Sequence, residues 1–142
     1  MYRLGPVLWQ IFNQIAIKYV PSPVMKIDTE NLFKNIGSVF PCSHCKYHYN
    51  NYIHSVDFNK VLETRDSCID FIIDFHNHVN QRLRKQIVPY SLGRTMILNS
   101  SMPEYKSMVE IIPTQMLKLI LEYNNNTNGN YIIRSKEIGR TL

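Results

Sequence analysis

The chain has 142 residues, enough for one ordinary domain with a sizeable core. With 44% hydrophobic and 19% charged residues it is not a disordered polymer, and three cysteines are too few for a disulfide scaffold. A net charge of +5 favours anionic partners, but there is no RNP or zinc-finger pattern and no dense Lys/Arg block, so a nucleic-acid partner is not expected.

No stretch reaches the roughly 20 apolar residues needed to cross a bilayer. The N-terminus starts directly on a periodic segment, without an apolar leader or small-residue cleavage site. The expectation is a cytosolic protein, neither secreted nor held in a membrane.

Helical periodicity dominates. Leu8, Ile11, Phe12, Ile15, Ala16 and Tyr19 recur at the spacing of an amphipathic helix, which Pro21 and Pro23 end. Asp28 is the expected N-cap of a second helix whose apolar face carries Leu32, Phe33, Ile36, Val39 and Phe40, with Gly37 a weak point. Pro41 is expected to open a third helix, since its missing N–H has no partner in a first turn. That puts Cys42 and Cys45 in the first turn, with His48, Tyr49 and Tyr52 following. Residues 56–65 read as a loop with at most a turn of helix. Asp66 or Ser67 is the expected cap of a fourth helix running to about Lys85, ahead of Pro89. Ile69, Ile72, Ile73, His76, Val79, Asn80 and Leu83 share one of its faces.

The fold class read from this pattern is all-α: an antiparallel four-helix bundle followed by a partly helical C-terminal segment. Short helices are expected over 91–98, 103–111 and 114–123, a flexible loop over 124–130, and a short strand at Tyr131-Ile132-Ile133.

The chemistry concentrates at Cys42-Ser43-His44-Cys45. A thiolate, not a thiol, attacks a disulfide, and a helix N-terminus stabilises negative charge. Two cysteines at that spacing therefore make a redox pair. A CxxC also begins many zinc sites; here His48 with His76 or His78 would complete a Cys2His2 set, giving a non-catalytic helical interaction module as the alternative. A thioredoxin-like reading lacks its strand–helix context. Cys68 reads as a small buried hydrophobe. His76, Asn80 and Leu83 fall at i, i+4 and i+7, and the polar groups among them need partners if buried: either other helices or a heteroaromatic ligand.

Gly5-x3-Trp9, Pro41-Cys42-x2-Cys45 and His76-Asn77-x-Val79-Asn80-x-Arg82-Leu83-x-Lys85, in that order and separation, resemble the Erv/ALR family of flavin-linked sulfhydryl oxidases. The resemblance covers roughly residues 3–90 and is closest to the short viral forms. It implies a four-helix bundle with a short fifth helix, FAD at one end, and usually a homodimer. Residues 1–95 would form the oxidase domain and 96–142 an extension of unknown role. Electrons would pass from a dithiol protein substrate, or a small thioredoxin-like shuttle, through Cys42 and Cys45 to FAD and then to molecular oxygen, giving hydrogen peroxide. The resemblance makes Cys42 the outer sulfur and Cys45 the inner one against the flavin. Gly5, Trp9, Tyr19, His48, His76, Asn77, Val79, Asn80, Leu83, Lys85 and Tyr90 match its cofactor-binding positions. Asn13 stands where many members carry His, and Tyr90 where relatives often have Trp. In a virus such a protein would work in the host cytoplasm or the virion.

Overall fold

Tyr19 and Ser22 mark the first reversal of the chain, and proline explains how two helices meet there. The structure, a computed structural model, describes residues 3–127. Helix α1 (Leu4–Lys18) ends at Tyr19, whose extended backbone leads into Pro21. Helix α2 (Pro23–Ile36) starts five residues before the expected Asp28. Pro23 takes its first position, and the Ser22 side chain accepts the Met25 N–H at 3.1 Å. Pro23 therefore opens a helix instead of closing one.

A 3-10 turn over Gly37–Val39 follows α2 and brings the chain against helix α3 (Ser43–Ser55). Gly37 is a point of close approach: a Cβ there would lie 1.9 Å from Asn50 Oδ1 and 2.8 Å from Tyr49 Cδ1. The Tyr49 hydroxyl donates to the Phe33 carbonyl at 2.6 Å and locks α3 to α2. The four-residue helix α4 (Phe58–Val61) leads to α5 (Arg65–Arg82). Thr64, not Asp66 or Ser67, is the N-cap; Thr64 and Ser67 exchange side chain-to-backbone bonds in a capping box. Helix α5 stops three residues short of Lys85. The Lys85 N–H bonds the Asn80 carbonyl at 2.7 Å and the Arg84 N–H bonds Gln81 at 3.1 Å, a Schellman stop with Arg84 at φ 58°.

Helices α6 (Tyr90–Leu98), α7 (Tyr105–Ile111) and α8 (Thr114–Asn126) complete the described residues. The all-α reading holds: no strand occurs among the described residues, and the expected strand at 131–133 lies outside them. Helix α8 runs through Asn124–Asn126, where a loop was expected; Tyr123 and Asn124 are buried, so packing overrides the polar composition.

Helices α1, α2, α3 and α5 surround the core, and α6 is the short fifth helix packed on α1 and α5. Ile11, Phe33, Ile36, Ile53, Ile72 and Met116 are almost wholly buried, each contributing roughly 1.5–3 kcal/mol. The C-terminal helices are not appended to this core. Met108, Met116 and Ile120 belong to it, and the buried Thr29–Tyr123 hydroxyl pair at 2.9 Å ties α2 to α8. On the other side, Gln14 donates to the Ser100 carbonyl at 3.0 Å and Asn13 to the Ser100 hydroxyl at 3.4 Å.

Candidate functional site

Three helices offer the same spacing to one cavity. Gly5, Leu8, Trp9 and Phe12 of α1, Cys45, His48, Tyr49 and Tyr52 of α3, and Phe75, His78, Val79 and Arg82 of α5 line a space of about 220 Å³. Each set falls at i, i+3, i+4 and i+7, one continuous stripe on its helix. Leu4 and Phe40 complete the wall. Most of it is flat and aromatic. Arg82 and two histidines supply the polar rim, and one sulfur, that of Cys45, faces in.

Cys42 lies outside this cavity as the N-cap of α3, so Pro41 precedes the helix and does not open it. A helix start needs an acceptor for its free N–H groups, and here the Cys42 sulfur accepts the Cys45 N–H at 3.2 Å. The two free thiols differ in electrostatics. The bond from the Cys45 thiol, the Cys45 N–H and the nearby Arg82 charge hold Cys42 below the ordinary thiol range. Burial, and then donation to Cys42, push Cys45 up. The result is an outer thiol poised to ionise and an inner thiol kept protonated. Cys68 is fully buried in the core, its thiol pushed up to about 12 by burial, and is inert.

Trp9 and His76 stack face to face, with ring centroids 4.0 Å apart and planes 11° from parallel. Burial lowers the His76 pKa, and Lys85 adds to this. His48 is also held low by burial, then by Arg82, His44 and His78.

Neither His76 nor the remaining expected cofactor residues line this cavity. Asn77 grips the return loop: its amide donates to the Val88 carbonyl at 2.8 Å, and its carbonyl oxygen accepts the Val88 N–H at 2.9 Å. Asn80 is buried and donates to Asn77 at 3.4 Å. Asn77, Tyr90, Ile87, Val88 and Asp74 line a second cavity of about 550 Å³, which shares Tyr52 and His78 with the first. The Tyr90 hydroxyl donates to Asp74. Leu83 and Lys85 are exposed beyond the end of α5. Tyr19 sits in the core, its hydroxyl donating to the Leu62 carbonyl at 2.5 Å. Asn13, bonded to Ser100, is also off the cavity wall.

The expected cofactor positions do not include Tyr52, Phe75, His78 or Arg82, and His78 enters only in the zinc alternative. The signal is the stripe 75/78/79/82, which shares only Val79 with the expected face 69/72/73/76/79/80/83. Among the described residues, no three His, Cys, Asp or Glu side chains converge to hold a metal ion, so the Cys2His2 set does not assemble.

The chain is similar to several named proteins. A protein of Invertebrate iridescent virus 6, provisionally named an FAD-linked sulfhydryl oxidase, is 32% identical over 63% of this chain and 87% of its own length. A protein of Invertebrate iridescent virus 3 with the same provisional name is 31% identical over 57% of this chain and 56% of its own. The FAD-linked sulfhydryl oxidase of African swine fever virus is 30% identical over 64% and 76%. No solved structure matches the chain significantly. The model of the Erv1 / Alr family matches residues 6–99, which run from within α1 through α6 and include every cavity-lining residue except Leu4 and Gly5; the chain belongs to the Erv1 / Alr family.

Proposed function

We propose that the chain is an FAD-linked sulfhydryl oxidase that makes disulfides in dithiol substrates. One observation carries this reading: the low-pKa Cys42 thiol stands outside an aromatic cavity while its partner Cys45 lines the wall. The donor set fits a flavin dinucleotide. Trp9, Phe12, Tyr52 and Phe75 are flat surfaces for a ring, Gly5 and Val79 leave room beside them, and Arg82, His48 and His78 suit phosphate or ring-edge acceptors. The adjoining cavity at Asn77 and Tyr90 extends the space for the rest of such a molecule. By resemblance, His76, Asn80, Leu83 and Lys85 belong to the same binding helix and its exit, while Tyr19 serves from the core.

When bound, FAD accepts two electrons from the reduced pair and delivers them to oxygen, giving hydrogen peroxide. The chain's own residues do the rest. In the oxidised pair, Cys42 is the sulfur a substrate thiolate attacks, because it is the one outside the cavity. Arg82 and the Cys45 N–H stabilise the Cys42 thiolate that leaves when the substrate's second thiol closes its disulfide. Cys45 stays inside, in a cavity wall it shares with Phe40, Tyr49 and Tyr52.

Oxygen uptake tests the reading. Purified protein should carry flavin and consume oxygen with a small dithiol; Cys45→Ser should abolish uptake and Cys68→Ala should leave it. A colourless protein holding stoichiometric zinc would reject it. We also propose a homodimer, with residues 1–95 as the oxidase unit and 96–142 as an extension whose helices α7 and α8 share its core. Monomeric light scattering at micromolar concentration would contradict the dimer. No helix among the described residues is long and apolar enough to cross a membrane. The viral relatives support a place in host cytoplasm or virion, with a separate dithiol protein as electron donor.

A further inference from the structure

Residues 1–27, 31–56 and 75–103 contain none of the eleven Asp and Glu residues of the chain. Those stretches build α1, all of α3 with the CxxC, and the cavity-lining end of α5 through α6. The carboxylates of the described residues come from other stretches, and two of those on α5 are already engaged. Asp74 accepts the Tyr90 hydroxyl, and Asp70 is paired bidentately with Arg94. Asp74 precedes Arg82 by eight residues on α5, about 12 Å along the axis.

The bases at the dithiol end are exposed. His44 and Lys46 flank Cys45 on α3 without lining either cavity, Arg82 of α5 reaches both thiols from the cavity rim, and Arg84 and Lys85 follow it just past the helix end. Among the described residues, no carboxylate pairs with Lys46, Arg82, Arg84 or Lys85. Arg82 is close enough to act on both thiols and on His48. A dinucleotide would draw on the cavity-facing Arg82 and leave His44 and Lys46 in solvent. Tyr47, 64% exposed on the same turn, adds an apolar contact outside the cavity.

We propose that the natural electron donor is a protein whose dithiol is flanked by carboxylates, selected by the basic rim around Cys42. This rests on the oxidase reading and names its substrate class. The required thiol makes the partner a protein and not a nucleic acid or a lipid surface. In the exchange, a partner thiolate attacks the Cys42 sulfur and the Cys42–Cys45 bond breaks, with Cys45 leaving as thiolate and taking up a proton. The partner's second thiolate then attacks its own sulfur in the mixed disulfide and releases Cys42. The partner loses two electrons to the pair. Opposite charge around the two sulfurs speeds encounter and lowers the cost of bringing the thiolate in.

Exchange kinetics test this without flavin turnover. The full chain, its pair oxidised with glutathione disulfide, is mixed without oxygen with CxxC peptides flanked by Glu or by Lys. Loss of the Cys42–Cys45 disulfide is followed by alkylation and mass, and each rate is normalised to the peptide's exchange with neutral hydroxyethyl disulfide. The Glu peptide should react about tenfold faster at low ionic strength. The gap should close near 0.5 M salt, where the Debye length is only about 4 Å. The double substitution His44→Glu, Lys46→Glu should narrow the gap or reverse it. Equal rates, or a faster Lys peptide, would overturn the proposal. Discrimination between peptides in a chain that consumes no oxygen with any dithiol would instead overturn the oxidase reading and leave the rim preference standing.

Discussion

Trp9 on α1 and His76 on α5 are stacked at 4.0 Å, so the cavity's principal aromatic wall is held from behind by a ring on the opposite helix. Trp9 also meets Phe12 and Phe75 edge-on, at 5.8 and 5.0 Å. Removing it with Trp9→Ala should cost about 3 kcal/mol, the low end for a large aromatic because the ring is only partly buried. Flavin content should fall with it, whereas Trp9→Phe should keep most of both. Denaturant unfolding and the flavin-to-protein absorbance ratio measure the two effects.

The stack has an acid limit. Burial, with Lys85 nearby, lowers the His76 pKa from its ordinary 6.5. The unfolded chain protonates this ring near 6.5; the folded chain does so only at lower pH. Its contribution to stability is therefore complete above 6.5 and declines as the pH falls from there towards the folded value. Unfolding followed by the fluorescence of the chain's one tryptophan should show this loss, and His76→Gln should flatten it.

Cys42 and Cys45 should titrate on opposite sides of an ordinary thiol. Timed alkylation of the reduced protein, read by mass, should give Cys42 a midpoint below 9.0 and Cys45 one above it. Cys45→Ser replaces the thiol donor to Cys42 and should shift the Cys42 midpoint, and Arg82→Gln should raise it. Identical midpoints for the two cysteines would refute the inner and outer assignment.

Gly37→Ala should destabilise the protein by about 1–3 kcal/mol, because the added methyl meets the Asn50 and Tyr49 side chains at overlapping distances and the buried Tyr49 ring must shift. Conversely, Arg84→Gly should stabilise by about 1 kcal/mol by relieving a left-handed conformation at the end of α5. Thermal melts decide both signs.

Much of this was legible in the sequence, for identifiable reasons. The α1 stripe and the place of the CxxC at a helix start follow from local pattern, which depends on neighbouring residues alone, although Cys42 caps α3 and Pro41 precedes it. Helix starts were less legible where several capping residues crowd one turn: Ser22 and Thr64 outcompete Asp28 and Asp66 because proline and a reciprocal Ser67 support them. On α5 the expected face holds for Ile69, Ile72, Ile73 and Val79 but not for the cavity-lining Phe75, His78 and Arg82, since 76/79/80/83 and 75/78/79/82 are both coherent stripes. Which one faces the cavity is set by the rotation of α5 against α1, a long-range contact. The Asn77–Val88 clamp and the burial of α8 against α2 depend equally on contacts distant in sequence.

Flavin reduction in the absence of oxygen tests the central claim most directly. Adding a small dithiol to the FAD-loaded protein should bleach the flavin band in the wild type and leave it unbleached in Cys45→Ser. Bleaching at an undiminished rate in Cys45→Ser would show that electrons reach the flavin without this sulfur, and would contradict the account.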